Sequence, residues 1–86
     1  MLEQEATVRN KLGIHARPSA ILVQTATGFR SEITLIRDDL KVNGKSIMGV
    51  MMLAAEEGAA IVVRAEGPDE ADALKGMVAA IQSSFD

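Results

Sequence analysis

The chain has no cysteine, no tryptophan and no tyrosine, and it holds a single histidine. Without thiols, a disulfide scaffold and a thiolate metal site are both excluded, and the composition fits a reducing compartment. One imidazole also falls short of the three or four ligands a zinc-type site takes, so no metal and no cofactor is expected. The only aromatics, Phe29 and Phe85, cannot build a base-stacking platform, and a net charge of −3 gives no electrostatic footprint for nucleic acid. The longest apolar run, Ile47 to Ala55, is far short of the ~20 residues needed to cross a bilayer. The acidic start Met1-Leu2-Glu3-Gln4-Glu5 lacks the basic and apolar regions of a secretory signal. A cytoplasmic protein is expected, with no membrane insertion and no nucleic-acid partner.

What is present is ordinary for a small globule: 86 residues, 48% hydrophobic and 24% charged. That length predicts one domain over residues 1–86 with one modest core, burying roughly 60–65% of the extended chain's surface.

Leu2, Gln4, Ala6 and Val8 alternate with Glu3, Glu5, Thr7 and Arg9, the period-two pattern of a half-buried strand. After the loop from Asn10 to Ile14, Pro18 marks a helix's first turn, and the helix should run from about Ala16 to Thr27. Its inward side is read as Pro18, Leu22, Thr25, Ala26 and part of Ile21, with Gly28 as a left-handed stop. Glu32 to Arg37 and Leu40 to Asn43 form a hairpin about Asp38-Asp39. Asn43-Gly44 is a further turn, and Ser46 reads as the N-cap of a helix reaching about Ala55. Ala60 to Glu66 is β-branched and alternating, a fourth strand closed by Gly67-Pro68. Asp69 is positioned to cap a last helix carrying Leu74, Met77, Val78, Ile81 and Phe85 at three- and four-residue spacings. Glu70 and Asp72 suit the positive end of that helix. The order β-α-β-β-α-β-α predicts a two-layer α/β sandwich, with helices on one face of a mainly antiparallel sheet and water on the other.

The middle helix carries too much apolar surface for one buried face. At about 100° per residue, Val50, Leu53 and Ala54 share one arc, while Ile47, Met48, Met51 and Met52 lie on the opposite one. Methionines can fill gaps in a core. They also suit an exposed surface that repacks against more than one partner, and a docking patch is the reading preferred here. Ser46 has two readings as well. A capping hydroxyl worth roughly 1 kcal/mol explains it fully. A phosphate at the same helix start would also be electrostatically comfortable, and would set about two negative charges beside the methionines.

The histidine, His15, stands where the first helix begins. Neither His15 nor Ala16 is a good N-cap, so the first N–H groups of that helix are unclaimed and open to an anion. Arg17 follows two residues later, and Gly13 permits a tight approach of the chain. The spacing offers no support for a Ser-His-Asp arrangement. It does suit an imidazole nitrogen that attacks phosphorus, with free N–H groups and the Arg17 guanidinium holding the phosphoryl oxygens.

Gly13-Ile14-His15-Ala16-Arg17-Pro18-Ser19-Ala20 and Gly44-Lys45-Ser46-Ile47-Met48-Gly49-Val50-Met51 resemble the HPr family, the histidine-containing phosphocarriers of the bacterial phosphoenolpyruvate-dependent sugar phosphotransferase system. The similarity spans essentially the whole chain. It implies an open-faced β-sandwich with strand order 1-4-2-3, and a stoichiometric carrier rather than an enzyme. His15 would take a phosphoryl group from phosphorylated enzyme I and pass it to IIA domains of sugar permeases, with Arg17 positioning the phosphate. Ala16, Ala20 and Gln24 of the first helix would form the docking face with Ile47, Met48 and Met51 of the second. In many relatives from Gram-positive bacteria, the serine matching Ser46 is phosphorylated by a dedicated kinase, which turns the carrier into a regulator of carbon catabolite genes. A serine kinase/phosphorylase and a transcriptional regulator are therefore further candidate partners of a protein expected to be monomeric. The alternative is a regulatory binding protein whose output is docking itself. Two features depart from the common pattern. Thr27 replaces a frequent Lys or Arg, thinning the basic rim, and Met51-Met52-Leu53-Ala54-Ala55 is similar to the nitrogen-related branch of the family.

Overall fold

The structure, a computed structural model, describes residues 1–85. Its elements are β1 (Leu2–Thr7), α1 (Ala16–Thr27), β2 (Glu32–Arg37), β3 (Leu40–Asn43), α2 (Ile47–Met52), β4 (Ala60–Glu66) and α3 (Glu70–Ile81). The strands form one sheet in the order β1-β4-β2-β3. Every neighbouring pair is antiparallel, with Leu35 opposite Val63 and Ala6 opposite Ile61. The expected element order and sandwich are therefore present, with the strand order 1-4-2-3 that the resemblance implies.

Alternation sets the two faces of the sheet. Ala6, Ile33, Leu35, Val42, Ile61, Val63 and Ala65 are buried on the helix side. Their neighbours Glu3, Glu5, Lys41 and Glu66 are exposed, and Arg64 pairs with Glu3 across the open side. Leu22 and Ala26 of α1 and Met77 and Ile81 of α3 close the core from above. Burying a Leu or Ile side chain is worth about 1.5–3 kcal/mol, and these side chains hold the layers together. No helix among the described residues is long and apolar enough to cross a membrane.

Five local expectations are corrected. Gly28 ends α1 at φ −73°, not in the left-handed region, because the last turn tightens instead: its N–H bonds the Thr25 carbonyl at 3.2 Å. Helix α2 stops at Met52, short of Ala55. Ala54 turns to φ +46° and is exposed, so it leaves the arc of Val50 and Leu53. Asp69 occupies the N-cap position of α3 without capping it. Its carboxylate instead accepts the N–H groups of Arg30 (2.8 Å) and Ser31 (2.9 Å) and the Ser31 hydroxyl (2.5 Å). The Ser31 hydroxyl, then the Arg30 N–H, hold the Asp69 carboxyl below its usual range. Phe85 lies beyond α3, at φ +60°, and packs against the core from outside the helix.

Glu70, expected to serve the helix dipole, is also pinned by two neighbours. One oxygen pairs with the N-terminal amine at 3.0 Å and the other accepts the Gly67 N–H at 3.3 Å. The chain start is thereby fastened to α3.

Candidate functional site

The loop before α1 is built around a buried asparagine. Asn10 donates its side-chain amide to the Gly13 carbonyl at 2.8 Å, and its own carbonyl accepts the Gly13 N–H at 2.9 Å. This two-way tie closes the loop in four residues and lifts Lys11 and Leu12 into solvent. Gly13 sits at φ +73°, and a Cβ there would overlap the Ala55 carbonyl oxygen, so this position takes only glycine without rearrangement. Ile14 is buried and donates its N–H to that same carbonyl at 2.8 Å. The loop therefore delivers the next residue, His15, from a fixed point.

His15 is the N-cap residue of α1, with extended backbone at φ −93° and ψ −162°. Its carbonyl accepts the Ser19 N–H at 2.9 Å, but its side chain makes no cap bond, leaving the imidazole exposed. Among the described residues, the N–H groups of Ala16 and Arg17 have no hydrogen-bond partner, and Pro18 has no N–H to satisfy. Unclaimed donors at a helix start, with the positive end of the dipole behind them, favour an anion.

An open groove joins His15 and Arg17 to Asn10, Lys11, Leu12, Pro18 and Phe85. Arg17 is exposed and pairs with no carboxylate among the described residues, so its guanidinium is available to a bidentate oxyanion. Lys11 adds a second cation, and Asn10 supplies the loop's internal tie; neither was singled out from the sequence. The Asn-x-x-Gly spacing, with a side-chain amide able to reach a nearby backbone carbonyl, was the readable signal for the second.

Helix α2 lies against α1 and β3. Ser46 caps it: the hydroxyl accepts the Gly49 N–H at 3.1 Å. Val50 and Leu53 are buried, whereas Ile47, Met48, Met51 and Met52 are 45, 73, 46 and 63% exposed. Methionines on this face are not core filler. On α1, Ala16 and Gln24 are exposed and Ala20 is half-buried.

The geometry defines a class before it defines a family: a small α/β sandwich that offers one exposed imidazole at an open helix mouth, with cations beside it and a bare apolar helix face. A family model described as the PTS HPr component phosphorylation site matches residues 2–83. The chain is 51% identical over 85 residues to a phosphocarrier protein HPr of Xylella fastidiosa (strain Temecula1), covering 99% of this chain and 96% of that one. A solved HPr structure from Thermoanaerobacter tengcongensis superposes with a TM-score of 0.93 at 47% identity, over 99% of this chain and 96% of that one. The chain belongs to the HPr family of phosphocarrier proteins. It is also 45% identical over 82 residues to the HPr-like protein Crh of Bacillus subtilis, covering 95% of this chain and 96% of that one. A crystal structure of that Crh, at TM-score 0.76 and 44% identity over 94% of this chain and 93% of that one, is described as a swapped dimer.

Proposed function

We propose that this protein carries a phosphoryl group on His15, accepting it from phosphorylated enzyme I and donating it to IIA domains of sugar permeases in the cytoplasm. The observation that carries the reading is the exposed imidazole at a helix start whose N–H groups have no internal partner. A lone pair of the neutral ring forms an N–P bond as the bond from phosphorus to the donor breaks. The phosphoryl oxygens then face the Ala16 and Arg17 N–H groups and the Arg17 guanidinium, which stabilise the transferring charge. Nothing in this scheme releases the group to water, which makes the protein a stoichiometric carrier. Ala16, Ala20, Gln24, Ile47, Met48 and Met51 form the surface that both donor and acceptor recognise. The test is incubation with phosphoenolpyruvate and enzyme I, followed by detection of an acid-labile, base-stable phosphate. His15→Ala is expected to abolish the label, and unchanged labelling of that variant would end the proposal.

The likeness to Crh, whose solved structure is described as a catabolite repression protein, favours a second reading. In it, phosphorylation of Ser46 by a serine kinase directs docking to a transcriptional regulator. The hydroxyl that caps α2 would become a dianion beside the exposed methionines, altering partner choice. Complementation separates the two readings, because a carrier requires His15 and a pure regulator tolerates His15→Ala.

A further inference from the structure

The segment between α2 and β4 is held from both sides. On one side stands Arg37, the last residue of β2. Its Nη1 donates to the Leu53 carbonyl at 3.0 Å and to the Ala54 carbonyl at 2.9 Å. Its Nη2 donates to both Glu56 carboxylate oxygens, at 2.7 Å to Oε2. On the other side is the loop that leads to His15, where Ile14 donates its N–H to the Ala55 carbonyl at 2.8 Å and Gly13 sits against the same oxygen. Of three successive carbonyls, the guanidinium thus claims those of Leu53 and Ala54 and the His15 loop claims that of Ala55.

This arrangement explains why α2 stops where it does. A helix end leaves carbonyls without partners, and here Arg37 supplies donors that side chains in the helix itself do not. Ala54 adopts a left-handed conformation that a residue with a Cβ resists, and the bond to its carbonyl holds it there. A lysine could not do the same, since one ammonium has neither the planar fork nor the reach to meet two carbonyls and a carboxylate together.

Resting on the phosphocarrier reading above, we infer that Arg37, with Glu56, is a positioning pair for His15: it fixes residues 53–56, which in turn fix Ile14 and the approach of His15 to the mouth of α1. Arg37 touches neither the imidazole nor the groove. It acts through backbone, and the same contact ties the end of the methionine-bearing helix to the transfer loop. The docking side chains near the start of α2 are held independently by the Ser46 cap. Loosening Arg37 therefore disturbs alignment more than recognition.

The experiment uses the full-length protein and its Arg37→Ala, Arg37→Lys and Glu56→Gln variants. Hydrogen exchange of the Ile14 amide is measured against that of Val63 in the central strand β4, and phosphorylation by enzyme I is followed to saturation. For Arg37→Ala, Ile14 exchange should rise about tenfold relative to Val63, as expected for local opening without global unfolding. The saturating phosphorylation rate should fall several-fold while the concentration for half-saturation stays within about twofold, a loss of alignment without a loss of uniform binding. Arg37→Lys should restore little of either, and Glu56→Gln should give an intermediate effect. An unchanged Ile14-to-Val63 ratio in Arg37→Ala, or a full recovery with lysine, overturns the inference. If the wild type takes no phosphate, the carrier reading fails, and the exchange ratio alone still decides whether Arg37 holds the His15 loop.

Discussion

Helices α1 and α2 start from the same kind of backbone and finish the job differently. His15 and Ser46 are both N-cap residues in the extended region. Ser46 turns its hydroxyl back to the Gly49 N–H, whereas the His15 ring takes nothing from its helix. Length explains why the chain tolerates one of these and not the other. Helix α2 has six residues, too few to recover the entropy of nucleation without a cap and a buried contact. Helix α1 has twelve and buries Pro18, Ser19, Leu22 and Ala26, so packing holds it while its first N–H groups stay open. The local rule is broken where a ligand can take the vacant place.

A third helix start sharpens the contrast. Asp69 stands at the mouth of α3 and spends its carboxylate on Arg30 and Ser31, across the molecule. Here the polar groups satisfy one another, since the buried Ser31 hydroxyl also accepts the Asp69 N–H at 3.3 Å. Asp69→Ala strands two backbone donors and that hydroxyl at once, so it should destabilise the fold more than any single cap deletion. The pH dependence follows from the sign of the shift. The folded Asp69 carboxyl titrates below its unfolded value, as do Glu56 beside Arg37 and Glu70 beside the N-terminal amine. Each contributes stability that is fully present above the unfolded carboxylate range and is lost as pH falls below about 4 toward the folded values. Urea denaturation between pH 3 and pH 7 should show a shallower acid loss for Asp69→Ala than for the wild type; parallel curves would contradict the assignment.

Ser46→Ala should give a smaller effect. Removing one half-buried cap bond is expected to lower unfolding free energy by about 1 kcal/mol. The saturating rate of phosphorylation at His15 should be nearly unchanged, because the open mouth lies on the other helix. The concentration for half-saturation should rise as Ile47 and Met48 lose their anchor. A stability loss near zero would mean that α2 is held by Val50, Leu53 and Arg37 alone.

The sheet, the order of elements and α1 were legible because each rests on periodicity, and the buried sets at Ala6, Ile33, Leu35, Ile61 and Val63 follow from alternation alone. The placement of His15 and Arg17 at an uncapped helix start was legible because neither His15 nor Ala16 is a good capping residue. What escaped the sequence depends on partners far along the chain. The end of α2 is set by Arg37, 16 residues away from Leu53, and the Asp69 carboxylate by Ser31, 38 residues away. Ser19 carries no inward signal in the sequence, yet it is fully buried with a hydroxyl that has no partner among the described residues. A polar residue gives no signal in a hydrophobic pattern.

The central claim is that α1 forgoes a cap so that His15 and a phosphoryl group can occupy its mouth. Replacing His15 with Asn puts a good capping side chain where the imidazole stands, and it can be assayed for stability and for labelling in the same preparation. His15→Asn should raise unfolding free energy by up to about 1 kcal/mol and accept no phosphate from enzyme I. A less stable variant, or one that is still labelled, would contradict the account.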